Sequence, residues 1–197
     1  MIQTAFRVKT AATSYITTVE NAFQNHLRVD AYDQENQTFL TSQLVAAQRH
    51  VEAYTNRVFN ETVYYFYLSD FPRYGITLPF SPVKSVTSIT YYDESNAEQT
   101  FSSDDYFFNR SQEPTTIYYD SGVDGPATYT DRFDAVTVEF TTGYTSPETI
   151  PDGCLSAVLL LLGDLYDNRT DVVREKFTSW KAMAYPHRVF HSTTENR

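Results

Sequence analysis

The sequence predicts an α+β fold, made of a helical body, an inserted small antiparallel β-sheet and an extended C-terminal arm. The helical body combines two N-terminal helices with a buried C-terminal helix. Three changes of pattern predict this plan. Apolar residues recur at three- and four-residue steps up to residue 58, at two-residue steps between 61 and 142, and at helical steps again from 153 to 168. After residue 170 the chain turns basic and loses any period. The expected organisation is one domain over 1–170, with helices within 14–58 and 153–168 and a β insertion at 61–142, followed by an arm over 171–197.

Residues 1–13 show no clear period and are expected to be a loose segment. Ser14 is placed to cap a first helix, with Tyr15, Val19, Ala22, Phe23, His26 and Leu27 on one face. Asp33 is placed to cap a second, longer one. Its Leu40, Leu44, Ala47, Val51, Tyr54 and Val58 are separated by alternating steps of four and three, the seam of a helix packed on another helix. From Glu61 to Leu68 the residues are β-branched and aromatic, as strands favour. A turn at 70–75 and a short strand at Ile76–Leu78 follow. Val83–Tyr92 is the strongest strand, and the turn Asp93-Glu94-Ser95-Asn96 sends it back through Glu98–Phe101. Further strands are expected at Tyr106–Asn109, Thr115–Tyr119 and Val136–Thr142, with the polar, glycine-bearing stretch 120–132 as a loop. Pro147 and Pro151 end the β region. Leu155, Val158, Leu159, Leu161, Leu162 and Leu165 then leave the last helix little polar face, so it should be buried.

Composition narrows the function. The chain has 197 residues, 16% of them aromatic, with 16 Tyr and 14 Phe. Tyrosine joins an apolar ring to a hydroxyl that stays wet or finds a partner, which suits half-exposed sheet faces and subunit interfaces. The net charge is −10 and is unevenly spread: residues 58–150 hold fourteen acids and four bases, whereas 169–197 hold three acids and six bases. So acidic a middle argues against tight binding to nucleic-acid phosphates. Cys154 is the single cysteine, so no disulfide can form within the chain. The N-terminus lacks the apolar stretch of a signal peptide, and the run Leu155–Leu162 is too short to span a bilayer. A soluble protein of the cytoplasm, without membrane contact, is expected.

Chemistry-bearing patterns are weak. His187 and His191 have the i, i+4 spacing of two metal ligands, but Pro186 precedes them and no Glu follows His187. Asp104 and Asp105 are neighbours, as are Asp93 and Glu94, and adjacent strand residues point to opposite faces. Asp164, Asp167 and Asp171 fall near helical spacing beside Arg169 and Arg174, which reads as a helix-end charge cluster. Cys154 adjoins an apolar helix and is expected to be inert. No phosphate-cradling glycine loop or nucleophile elbow is present. No catalytic residue, metal or cofactor is expected.

Three stretches carry a family resemblance. The first is His26-Leu27-Arg28-Val29-Asp30 with a long helix ending Val51-Glu52-Ala53-Tyr54-Thr55-Asn56-Arg57. The second is Leu78-Pro79 with Pro82-Val83-Lys84-Ser85-Val86-Thr87-Ser88-Ile89-Thr90-Tyr91, closed by Asp93. The third is Val138-Glu139-Phe140-Thr141-Thr142-Gly143-Tyr144 with Ile150-Pro151 and a leucine-rich helix ending Tyr166-Asp167-Asn168-Arg169. In order and spacing they resemble the head–tail connector (adaptor or neck) proteins of tailed phages over roughly residues 15–170. The acidic loop at 120–132 and the tail beyond 170 depart from the pattern. The resemblance implies a structural, non-enzymatic subunit in the neck of a virion. It implies a ring, commonly of twelve subunits, that meets the portal protein on one side and the next neck or tail protein on the other. DNA would pass through the channel without specific binding, and an acidic wall would let it slide.

The tail then has a candidate role. Phe177, Trp180, Met183, Tyr185, Arg188 and Phe190 combine large apolar groups with positive charge, and Trp, Tyr and Arg dominate interface energetics. They are expected to form a portal-binding arm that orders on docking; the other expectation is a tail folded back on its own subunit. An alternative for the whole chain is a carbohydrate- or receptor-binding β module of a virion, favoured by the tyrosines. The long helices, which a sugar-binding sandwich does not need, argue against it.

Overall fold

The computed structural model describes residues 2–11, 16–18, 21–28, 34–121, 123–168 and 178–190. The chain opens with a strand, β1 (Thr4–Thr10), which pairs antiparallel with β2 (Thr62–Leu68). This corrects the expectation of a loose N-terminus. Phe6 and Val8 alternate with Arg7 and Lys9, a short two-residue period that the sequence reading missed, although every residue of β1 is exposed.

The described residues divide into two compact units. One is helical and takes Thr13–Asn60 with Tyr144–Arg188. Its first described helix is a short turn, Asn21–His26, that buries Ala22 and Phe23. Ser14, Tyr15, Val19 and Asp33, named above as caps and face residues, lie outside the described residues. Helix α1 (Gln34–Thr55) buries Leu40, Leu44, Ala47 and Val51, the seam read from the sequence. It stops where Asn56 takes a left-handed conformation (φ 55°), a common helix ending for Asn. Helix α2 (Asp152–Asp167) buries Cys154, Ala157, Val158, Leu161 and Leu162. A third helix, α3 (Ser179–Ala184), packs against it, and all three contribute to one core.

The other unit is built on β-sheet and takes Met1–Ala12, Glu61–Gly143 and Val189–Arg197. One small sheet was expected; there are two. The larger adds β4 (Val83–Tyr92), β5 (Glu98–Phe101) and β8 (Val136–Thr142), in the order β1-β2-β8-β4-β5, each pair antiparallel. The smaller is β3 (Ile76–Thr77), β7 (Thr116–Tyr119) and β6 (Tyr106–Phe108), in the order β3-β7-β6. Central β8 alternates strictly, with Val136, Val138, Phe140 and Thr142 fully buried. The β4–β5 turn is tied by Asp93, whose carboxylate accepts from the amides of Ser95 (2.9 Å) and Ala97 (3.0 Å). Those hydrogen bonds, that from Ala97 first, hold its pKa below the usual carboxylate value. Asn96 supplies the positive φ (59°) that the turn needs. Gly75 (φ 109°) lies so close to the Ile117 carbonyl that a side chain there would collide with it.

Candidate assembly surfaces

The C-terminal segment was expected to stand away from its own core, and over residues 178–190 this is corrected. Trp180 is half-buried against the helical core, its ring 5.3 Å from that of Tyr54 and 6.5 Å from that of His50. Ala184 is fully buried. The backbone carbonyl of His187 accepts from Arg57 Nε at 2.6 Å, while Arg57 Nη1 donates to the Tyr144 hydroxyl at 2.9 Å. Gly153, near the start of α2, lies against the His187 ring and the Met183 carbonyl. The guanidinium of Arg188 sits 5.0 Å over the Tyr54 ring. A six-residue helix is too short to show a period. A signal was nonetheless present, since Lys181-Ala182-Met183-Ala184 are good helix formers ahead of Pro186. Met183, Tyr185 and Phe190 remain exposed, and Phe177 lies outside the described residues.

A second surface, which the sequence reading missed, is the β1 edge. The register aligns Phe6, Phe66, Val138, Ile89 and Phe101 in one row across all five strands. Phe66 is 7% exposed, Val138 and Ile89 are 0% and Phe101 is 6%, but Phe6 is 57%. The neighbouring row, Val8-Tyr64-Phe140-Val86, likewise ends in an exposed Val8. At the β5 end the smaller sheet covers the apolar face: Phe101 lies 6.0 Å from Tyr106 and 5.4 Å from Phe71, ring to ring. At the β1 end Phe6 meets Phe80 at 4.9 Å and Tyr64 at 6.4 Å. The opposite face of β1 is basic. Arg7 is exposed there, and Lys9 Nζ lies 2.7 Å from Glu139 and 5.1 Å from the Tyr65 ring centroid.

The groups considered for chemistry do not converge. Asp93 is used in its turn, and Asp104 lies in an exposed turn capped by the Ser102 hydroxyl. Burial pushes the Cys154 thiol up to about 11, so it is protonated and poorly nucleophilic at neutral pH. Asp171 and His191 lie outside the described residues. Among the described residues no three His, Cys, Asp or Glu side chains gather as a metal site would require. No described helix is long and apolar enough to cross a membrane.

No family model matches the chain, and no curated protein matches it. Solved structures do. A chain from the neck of the empty gene transfer agent (GTA) particle, computed with C6 symmetry, superposes with a TM-score of 0.78 at 21% identity, covering 98% of this chain and 100% of that one. A chain of the native GTA virion gives 0.77 at 22% identity, over 94% of this chain and 96% of that one. A chain from the native GTA neck, computed with C12 symmetry, gives 0.71 at 21% identity, over 97% and 100%. The α+β fold is therefore that of a chain found in GTA necks, nearly end to end.

Proposed function

We propose that this chain is a structural head–tail connector subunit of a phage-like virion, and that it acts in the neck as part of a ring. The observation that supports this most is the end-to-end fold likeness to GTA neck chains. Their necks were computed with C6 and C12 symmetry, in keeping with a ring of twelve subunits here. The reading makes the chain a scaffold and no enzyme. The ring extends the DNA channel below the portal and docks the next neck or tail protein. DNA passes through without specific binding, because residues 58–150 carry fourteen acids against four bases and lack the cations that drive counterion release.

Portal docking is assigned to the C-terminal segment. Since Trp180 packs on its own subunit, the contact falls to the exposed Met183, Tyr185 and Phe190, with Arg188 between the last two in the chain and Phe177 upstream. The test is attachment of the purified chain to portal-bearing capsids, followed by electron microscopy. Rings seated at the portal vertex are expected. The variant Met183→Ser/Tyr185→Ser/Phe190→Ser should fold and fail to attach. Normal attachment of that variant would remove the segment from the portal contact.

A further inference from the structure

Resting on the ring reading above, we infer that the contact between neighbouring subunits is edge to edge: β1 of one copy receives β5 of the next, and the five-stranded sheet continues across the boundary. Among the described residues both strands are outermost in their sheet, so each presents a row of backbone donors and acceptors that the sheet itself does not pair. A strand edge of this kind takes another strand by main-chain hydrogen bonding.

Three features select a second copy as the occupant. The first is direction. Four antiparallel steps separate β1 from β5, so the two run the same way. A copy repeated in line about a ring axis therefore brings its β5 alongside β1 in parallel, a heterologous contact that repeats until it closes. The second is charge. Arg7 and Lys9 share the sheet face of Tyr65 and Glu139; Glu98 pairs with Tyr92 on that same face at the other edge. Glu94, in the turn before β5, and Asp104 and Asp105, after it, add negative charge at both of its ends. A basic edge thus meets an acidic one, which fixes orientation and disfavours β1 meeting β1. The third is the apolar face. Its rows are covered at the β5 end by the smaller sheet and uncovered at Phe6 and Val8. An incoming β5 brings its own Phe101 and Tyr106, stacked 6.0 Å apart, towards the side where Phe6 stands open.

A strand edge can also be guarded, and β1 carries two guards: Lys9 turned inward to Glu139, and a register shift between Val8 and Thr10. Both lie at its C-terminal end. The stretch Thr4–Val8, with Phe6 exposed, has neither.

The experiment uses the full chain, with assembly read by native mass spectrometry and negative-stain microscopy and folding by circular dichroism. Arg7→Glu should fold as the wild type does and lose rings at least tenfold, as should Asp104→Arg, whose position follows Phe101 and so falls at the Arg7 end of the contact. Mixing the two variants should restore rings, because each then finds an opposite charge on both sides. Phe6→Ser should likewise weaken assembly without unfolding the chain. If the wild type forms rings, and the folded Arg7→Glu and Phe6→Ser variants form them equally well, the edge contact is wrong and the ring reading stands. If β1 is instead found paired with a strand of a different protein while wild-type rings persist, the occupant is wrong. If the wild type forms no ring even at the portal, the ring reading falls, and this inference falls with it.

Discussion

The helical unit and the β unit bury their cores to different degrees. In the first, α1 and α2 present Leu44, Ala47, Val51, Val158 and Leu162, all fully buried, and the C-terminal segment seals the side with Trp180 and Ala184. In the second, the central strands are as well buried, but the sheet runs outward to a first strand with every residue exposed. Over its described residues the helical core is thus closed, although Phe39, Leu160, Met183 and Tyr185 stay exposed at its surface. The β core is complete at its β5 end and open at its β1 end. Stability should be concentrated where the packing is closed, and association where it is open.

Substitutions sharpen that contrast. The largest effect on folding is expected from Leu44→Asp, which places an unpaired charge in the closed helical core and should cost about 4 kcal/mol or more. Leu159→Asp, at a half-buried position on α2, should cost clearly less. Denaturant titration of both checks the order, and equal midpoints would break the account of that core. Next is Gly153→Ala. Its methyl would press on the His187 ring and the Met183 carbonyl, and overpacking of this kind costs about 1–3 kcal/mol. Trp180 is the single tryptophan, so its fluorescence reports whether the C-terminal helix has been pushed off Tyr54.

A smaller, pH-dependent effect is expected at Glu52. Its carboxylate accepts from the Phe59 amide at 2.9 Å and from Gln48 Nε2 at 3.3 Å, yet burial outweighs these bonds and raises its pKa. The folded state then holds this proton more tightly than the unfolded chain. Its contribution to stability is complete below the ordinary Glu value and is lost as pH rises through the raised one. Glu52→Gln keeps an oxygen for the Phe59 amide and should gain stability at neutral pH, with the gain shrinking in acid; thermal melts at two pH values measure it. The smallest folding effect belongs to Phe6→Ser. A side chain 57% exposed contributes about 1 kcal/mol or less, so a large loss of stability there would show that β1 is part of a closed core after all.

Much of this contrast was legible in the sequence, and the illegible parts share a cause. Val83–Tyr92 was readable in its bounds from its β-branched and aromatic content, although two register shifts break its alternation. Val136–Thr142 was readable to the residue because one side faces a core and the other does not. The α1 seam was readable for the same reason. Strand β1 was missed although Phe6-Arg7-Val8-Lys9 alternates, because that alternation spans only four residues and its partner β2 lies beyond α1. The hairpin Asp93–Asn96 announced the β4–β5 pair, but nothing local says that β8 inserts between β2 and β4 or that β3, β6 and β7 form a sheet of their own. At the surfaces, sequence singled out the aromatic tail by composition and took its lack of period for lack of packing. Trp180 packs through single contacts with Tyr54 and His50 that no period encodes.

The central claim is that this chain assembles into a neck ring, and the most direct measurement is the mass and image of the purified full chain alone and with portal-bearing capsids. The account predicts a closed ring with a central hole, in solution or seated at the portal vertex. A chain that remains monomeric in both settings, and is absent from the neck of the assembled virion, would contradict it.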